Sequence, residues 1–309
     1  MAAWGVEGRF VADMTIREGM EWRDRSGGFM FIPSDYIDKI IQEDMPYFDL
    51  TGHLLGIGDE ACRISFTTRQ EGVACGVEIT NAIFARFNIK AETIAKDGDK
   101  VSVGDVLVRG VGPAADIYAA WKPTQNVLEY ASGIATKTRK MVDKAKSINP
   151  NIAILTTRKT FPNTKWFMTN AILAGGAMPH RLGISETIVI FGQYIDYIGG
   201  FDVLLSKMPQ LKTKAIGKKI IVEATTYREA KAICQAGGDG VQFGKTPARE
   251  LVDIVKQLRA DNPNITLFAT GGIDMDNVVD YAKTGVDGII TTSLYNAKPM
   301  DISVEITRL

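Results

Sequence analysis

Histidine and cysteine are scarce in this chain of 309 residues: there are two of the first and three of the second. Cys62, Cys75 and Cys234 stand too far apart for a C-x-x-C metal or redox pair, so they read as reduced structural thiols. Net charge is also lacking, since 36 basic residues face 36 acidic ones, which leaves no broad field to attract nucleic acid or an acidic membrane. Any bound anion must therefore be held by a local cluster. The opening residues contain no unbroken apolar run, and no later stretch is long enough and free enough of charge to cross a bilayer, which points to a soluble, cytoplasmic protein.

Apolar residues make up 45% of the sequence, enough for a large core, and the length suits a barrel with a smaller companion. Residues 1–29 read as a polar, glycine-ended leader, either an arm outside the fold or the product of a start set too early. A helix capped by Ser34 or Asp35 follows, then alternating runs such as CRISF, KAETI and DVLVRG joined by Asp-Gly and Gly-Asp turns, with a short helix at GVEITNAIFARF. From residue 116 the pattern turns helical, with Pro123 suited to the first turn of a helix. Six β-rich runs come next, at 152–156, 187–191, 219–224, 239–243, 265–269 and 287–291, separated by helical segments. That rhythm requires parallel strands with right-handed crossovers. The fold class is therefore α/β, with an N-terminal α/β unit over 30–130 and an incomplete parallel β/α barrel over 131–299, a doubly wound sheet being the alternative. The tail 300–309 alternates again and is placed to return to the first unit.

In β/α barrels the loops after the strands open on one face, so strand ends locate the chemistry. Arg158, Lys159 and Lys245 follow the first and fourth runs, Glu223 ends the third, Thr270, Gly271 and Gly272 follow the fifth, and Thr292 the sixth. Basic side chains beside a Gly-Gly turn make an anion cradle, and a phosphate ester is the ligand it fits. His180 and Arg181 lie between the first helix and the second run, which puts them at the opposite face by this count. A structural histidine is the plain alternative there.

The motifs TTRKTFPNTKW, GG-x-x-x-HRLG (175–183), SGIATKT (132–138), VEATT (222–226) and ATGGI (269–273) are similar to those of the quinolinate phosphoribosyltransferase superfamily, the nicotinate-nucleotide pyrophosphorylases. The likeness spans nearly all of 31–309, and AAWKPTQNVLEYASGIATKT most resembles the ModD-type pyrophosphorylases associated with molybdate-transport genes. The resemblance implies an α/β sandwich and an incomplete barrel, paired as a homodimer in which one sandwich covers the other's barrel mouth. It implies that Arg158, Lys159, His180 and Arg181 line the site for an aromatic acid and phosphoribosyl pyrophosphate, with Mg²⁺ as cofactor. Lys159 and Glu223 are then the catalytic candidates, Glu223 serving ribose hydroxyls or the metal, while Gly271 and Gly272, flanked by Thr270 and Thr292, take the 5-phosphate. Lys245 joins the substrate-binding set.

Three positions depart from the family pattern. Its E-R dipeptide is Trp121-Lys122 here, its K-D-N-H is Phe191-Gly192-Gln193-Tyr194, and its L-D-N is Phe243-Gly244-Lys245. Lys122 keeps a cation where the family has an arginine, but the lysine for a substrate carboxylate and one aspartate are gone. The expected activity is transfer of a phosphoribosyl group to a heteroaromatic acid or base other than quinolinate, releasing pyrophosphate. The alternatives are a retired barrel that senses a phosphate or oxyanion ligand in molybdate uptake, and a Schiff-base barrel using Lys159 or Lys245.

Overall fold

The computed structural model describes residues 31–309. The leader expected over 1–29 lies outside them. Helix α1 (Ser34–Asp44) buries Ile37 and Ile41; Pro33 rather than a side-chain cap precedes it, and Asp35 pairs with Lys39 at 3.0 Å. After α2 (Leu50–Leu55) come β1 (Ala61–Thr68), β2 (Gly72–Val73), α3 (Val77–Phe84), β3 (Lys90–Thr93), β4 (Lys100–Val101) and β5 (Val106–Pro113). Strands β1, β3 and β5 form an antiparallel sheet whose order is completed by a strand from the far end of the chain, β13 (Ile302–Arg308), beside β1. Alternation on β1 buries Ile64 and Phe66 against α3, while Arg63 and Ser65 face away.

Helix α4 (Ala114–Lys146) has 33 residues, about 50 Å at 1.5 Å per residue. Pro123 was expected to open a helix and instead sits buried inside this one. An interior proline removes one helical hydrogen bond and costs about 3 kcal/mol. The packing here offsets it, because α4 serves both cores: Ile117, Ala120, Val127 and Leu128 join the sandwich cluster, and Ala131, Ile134, Ala135 and Met141 join the barrel cluster.

The second part runs β6 (Ala153–Thr156), α5 (Lys165–Ala174), β7 (Met178–Pro179), β8 (Ile188–Ile190), α6 (Gly192–Tyr197), α7 (Phe201–Lys214), β9 (Ile220–Ala224), α8 (Tyr227–Gln235), β10 (Gly240–Gly244), α9 (Ala248–Asp261), β11 (Thr266–Thr270), α10 (Val278–Ala282) and β12 (Gly288–Thr291). The seven strands are parallel, in the order β7-β6-β12-β11-β10-β9-β8, so the barrel is incomplete and open between β7 and β8. Six runs were read from the sequence; β7 is the seventh. Its two residues are too few for an alternating pattern, and its proline is tolerated because β7 is an edge strand. Val222, Val241, Leu267 and Ile289 point outward into the core beneath the helices.

Candidate active site

Strand β7 moves the histidine-arginine pair to the other end of the barrel. Pro179 pairs with Thr156 in the parallel register, and the His180 N–H donates to the Thr156 carbonyl at 3.0 Å. His180 and Arg181 therefore follow the carboxyl end of a strand, level with Thr157. The expectation that topology sets them on the opposite face is corrected by this one short strand.

Register also defines which side chains face the interior. Glu223, Gln242 and Phe268 are mutually level across β9, β10 and β11, and Gly244 is level with Thr270. One residue beyond the pairs Ile190–Val222 and Thr291–Thr156, Phe191 comes level with Glu223, and Thr292 with Thr157. The hydroxyls of Thr157 and Thr292 lie 2.8 Å apart, and the His180 ring stands edge-on to Phe268 with centroids 5.3 Å apart. Residues far apart in sequence thus meet around a single mouth.

Cations dominate one side of it. Arg158 and Lys159 are exposed in the loop after β6, and the Lys159 N–H donates to the Thr157 hydroxyl at 3.2 Å. The Arg181 guanidinium is half-buried, donates to the Thr187 carbonyl at 3.2 Å and lies 5.8 Å from the centre of the Phe191 ring. Burial holds its pKa below the ordinary arginine value, and the positive charge of Arg158 adds to the depression. Two guanidiniums that repel one another in the free protein form a ready place for a multiply charged anion.

The His180 imidazole has its pKa pushed down to about 4 by burial and then by Arg181, and its buried Nε2 has no partner. It is therefore neutral near pH 7, with one ring nitrogen buried and unpaired. Because the depressed value lies below the unfolded one, its contribution to stability is complete above about pH 6.5 and is lost as pH falls toward 4. An NMR titration of a His53→Gln variant, which leaves one histidine to observe, should show a midpoint well below pH 5.5. A midpoint near 6.5 would overturn this environment.

Glu223 answers the glycine at 244. Its Oε2 accepts from the Gly192 N–H at 3.0 Å, at the start of α6, and a Cβ on Gly244 would lie 2.6 Å from its Oε1. The carboxylate thus reaches across from β9 to fill the space that a side chain at 244 would need. At the ends of β10 and β11, Lys245 adopts φ 60, donates its N–H to the Thr270 carbonyl at 2.7 Å, and lays its side-chain stem against Gly271. Gly271 and Gly272 both have positive φ, which non-glycine residues rarely adopt, and the space above Gly272 is open. A lysine held at φ 60 is a strained backbone of the sort that clusters at ligand sites.

Some of the expected set lies elsewhere. The Lys122 ammonium stays on α4, 4.4 Å from the centre of the Trp121 ring and 3.1 Å from Gln125 Oε1, with none of the mouth residues among its partners. Other contributors were not among the expected site residues: the Gly192 N–H, the Phe268 ring, and Lys137, whose ammonium braces the turn after β12 through the carbonyls of Ser293 (2.6 Å) and Asn296 (2.9 Å). Lys137 lies in the SGIATKT motif, which was the available clue. Among the described residues, no three histidine, cysteine, aspartate or glutamate side chains are grouped to hold a metal. A resident Mg²⁺ site does not fit these scattered carboxylates: Glu223 has one oxygen engaged by the Gly192 N–H, Asp274 in the loop after β11 lies toward Lys137, and Glu186 toward Arg181.

The sequence matches the profile of the quinolinate phosphoribosyl transferase C-terminal domain over residues 134–305 and that of the N-terminal domain over 49–132. It is 33% identical over 279 residues to a Pasteurella multocida protein named as a ModD pyrophosphorylase, covering 90% of this chain and 99% of that one. It is 31% identical to a Methanothermobacter thermautotrophicus protein named as a carboxylating nicotinate-nucleotide pyrophosphorylase, with coverage of 89% and 99%. The solved structure of the Francisella tularensis nicotinate-nucleotide pyrophosphorylase superposes with a TM-score of 0.82 at 24% identity, covering 92% and 100% of the two chains. That of NadC from Streptococcus pyogenes gives 0.81 at 23% identity, over 89% and 96%.

Proposed function

We propose that this chain, which belongs to the quinolinate phosphoribosyl transferase family, transfers a phosphoribosyl group from phosphoribosyl pyrophosphate to a heteroaromatic acid or base other than quinolinate. The observation that carries the proposal is the mouth itself: paired guanidiniums Arg158 and Arg181 remain, while Phe191, beneath Arg181, takes the place of the family's carboxylate-binding lysine. Quinolinate brings two carboxylates, and each needs a compensating cation when buried. This mouth offers fewer cations and an additional aromatic surface.

Phosphoribosyl transfer needs positioning and charge stabilisation more than covalent chemistry. Arg158 and Arg181, with Lys159 beside them, hold the diphosphate, which leaves with the electron pair of the ribose C1–O bond as the acceptor nitrogen bonds to C1. Backbone N–H groups at Gly271 and Gly272 and the Lys245 ammonium take the 5-phosphate. The free Oε1 of Glu223 accepts from a ribose hydroxyl, and the neutral His180 ring, edge-on to Phe268, borders the acceptor. Mg²⁺ enters as part of the substrate, carried on diphosphate oxygens, since it keeps much of its water and needs few protein ligands. Lys122 contributes to the site of a second copy. An exposed cluster around α2, with Tyr47, Phe48, Leu50, Leu54 and Leu55 beside a cavity of about 550 Å³, supports association of two chains.

Calorimetric titration with phosphoribosyl pyrophosphate, with and without Mg²⁺, followed by a thermal-shift screen of heteroaromatic acids and bases and mass analysis of products, tests this. Binding that tightens with Mg²⁺, and turnover of an acceptor other than quinolinate, is expected. No binding under either condition removes the transferase reading. Binding with no turnover of any acceptor would leave the ligand-sensing barrel, and quinolinate turned over at least as well as any other acceptor would refute the acceptor assignment.

A further inference from the structure

Helix α5 connects two of the cationic loops of the mouth. The loop before it carries Arg158 and Lys159, and β7 behind it leads into His180 and Arg181. The position of α5 along the barrel wall therefore governs how these side chains are spaced. Its buried surface is largely apolar, with Met168, Ala171, Ile172 and Ala174, and apolar packing is non-directional. Two polar side chains interrupt it, Thr169 and Asn170, and Asn170, only 6% exposed, is the one that bonds to the sandwich.

Asn170 Nδ2 donates to Asp97 Oδ2 at 2.8 Å and lies 3.5 Å from the Cys75 sulfur. Asp97 belongs to the sandwich, in the loop between β3 and β4, and its Oδ1 accepts from the Val77 N–H at 2.8 Å, at the first residue of α3. Beside it, Gly98 approaches the carbonyl of Ala174 at the end of α5, where a Cβ would come within 3.6 Å. One carboxylate thus ties the start of a sandwich helix to the middle of a barrel helix. Burial raises the pKa of Asp97, and its hydrogen bonds from Asn170 and Val77 oppose that shift. A buried polar pair adds less net stability than an apolar pair of the same size, so its contribution is directional.

We infer that Asp97 and Asn170 are a positioning pair, whose hydrogen bond fixes α5 against the sandwich and so sets the spacing of Arg158 and Arg181. The consequence for binding rests on the phosphoribosyl pyrophosphate reading; the consequence for the two loops does not. The variants are Asn170→Ala and the exchange Asp97→Asn/Asn170→Asp, which keeps an amide donor facing a carboxylate and an oxygen for the Val77 N–H. Both are measured in the full chain, at a temperature where circular dichroism shows them folded.

Asn170→Ala should raise amide hydrogen exchange about tenfold in residues 157–164 and 178–187 while β9 to β12 stay protected. It should also weaken phosphoribosyl pyrophosphate binding about tenfold, and the exchanged pair should recover both. Should Asn170→Ala not fold, Asn170→Ser takes its place. Parent-like exchange in the two segments, or an exchanged pair as loose as the single variant, overturns the proposal. If the parent binds no phosphoribosyl pyrophosphate, the transferase reading fails, and the hydrogen-exchange result alone decides the pair by the same criterion.

Discussion

Replacing Arg158 by alanine should remove most of the affinity for phosphoribosyl pyrophosphate while leaving the free protein as stable as before, or slightly more so. The binding loss comes from the guanidinium fork, whose charge-assisted bonds to phosphate oxygens contribute about 1.5–3 kcal/mol each. Losing two amounts to a factor on the order of 100 or more in Kd. The stability effect has the other sign because Arg158 depresses the pKa of Arg181, so the two charges oppose each other when no anion lies between them. Arg158 is exposed, and solvent screening keeps that relief to tenths of a kcal/mol. Calorimetry and thermal melting of the same preparation read both quantities. A variant that binds as the parent does would refute the anchoring role, and one that melts much lower would show that Arg158 is a structural residue.

The second large effect concerns folding. Gly133 lies inside α4 with the Lys298 carbonyl packed directly over it and Pro299 Cα 3.1 Å from where a Cβ would stand. In an exposed helix interior, glycine to alanine gains about 1 kcal/mol. Gly133→Ala should lose stability instead, by about 1–3 kcal/mol, because backbone rather than a flexible side-chain end would have to move. The melting temperature should fall by several degrees, and a rise would show that the 298–299 segment can yield.

Much of the architecture was legible because its elements obey one period at a time. The runs at 219–224, 239–243, 265–269 and 287–291 became β9 to β12, and the strand-end rule brought Arg158, Lys159, Glu223, Lys245 and Gly271 onto one list. What escaped was either too short or set by tertiary contact. Met178–Pro179 has no pattern, yet it decides the face on which His180 stands. Pro123 followed its local preference in the sequence reading and was overridden by burial between two cores. Helix α7 likewise carries an interior proline, Pro209, on its exposed side. Neither the reach of Glu223 toward Gly244 nor the contact of Asn170 with Asp97, 73 residues away, has any local signature.

Strand β13 has a consequence for the order in which the protein can be made. It supplies an outer strand of the sandwich sheet, yet its residues meet partners more than 200 positions earlier, as Ser303 does Thr67 at a separation of 236. A ribosome releases the first strands long before their neighbour exists, at about 5–20 residues per second. Until then β1 presents an unpaired edge whose N–H and C=O groups are open to other chains. The sandwich waits for the barrel to be synthesised, so this edge stays open from the end of β5 at Pro113 to the start of β13 at Ile302, roughly 10–40 s at that rate, and slow synthesis of the barrel lengthens the exposure.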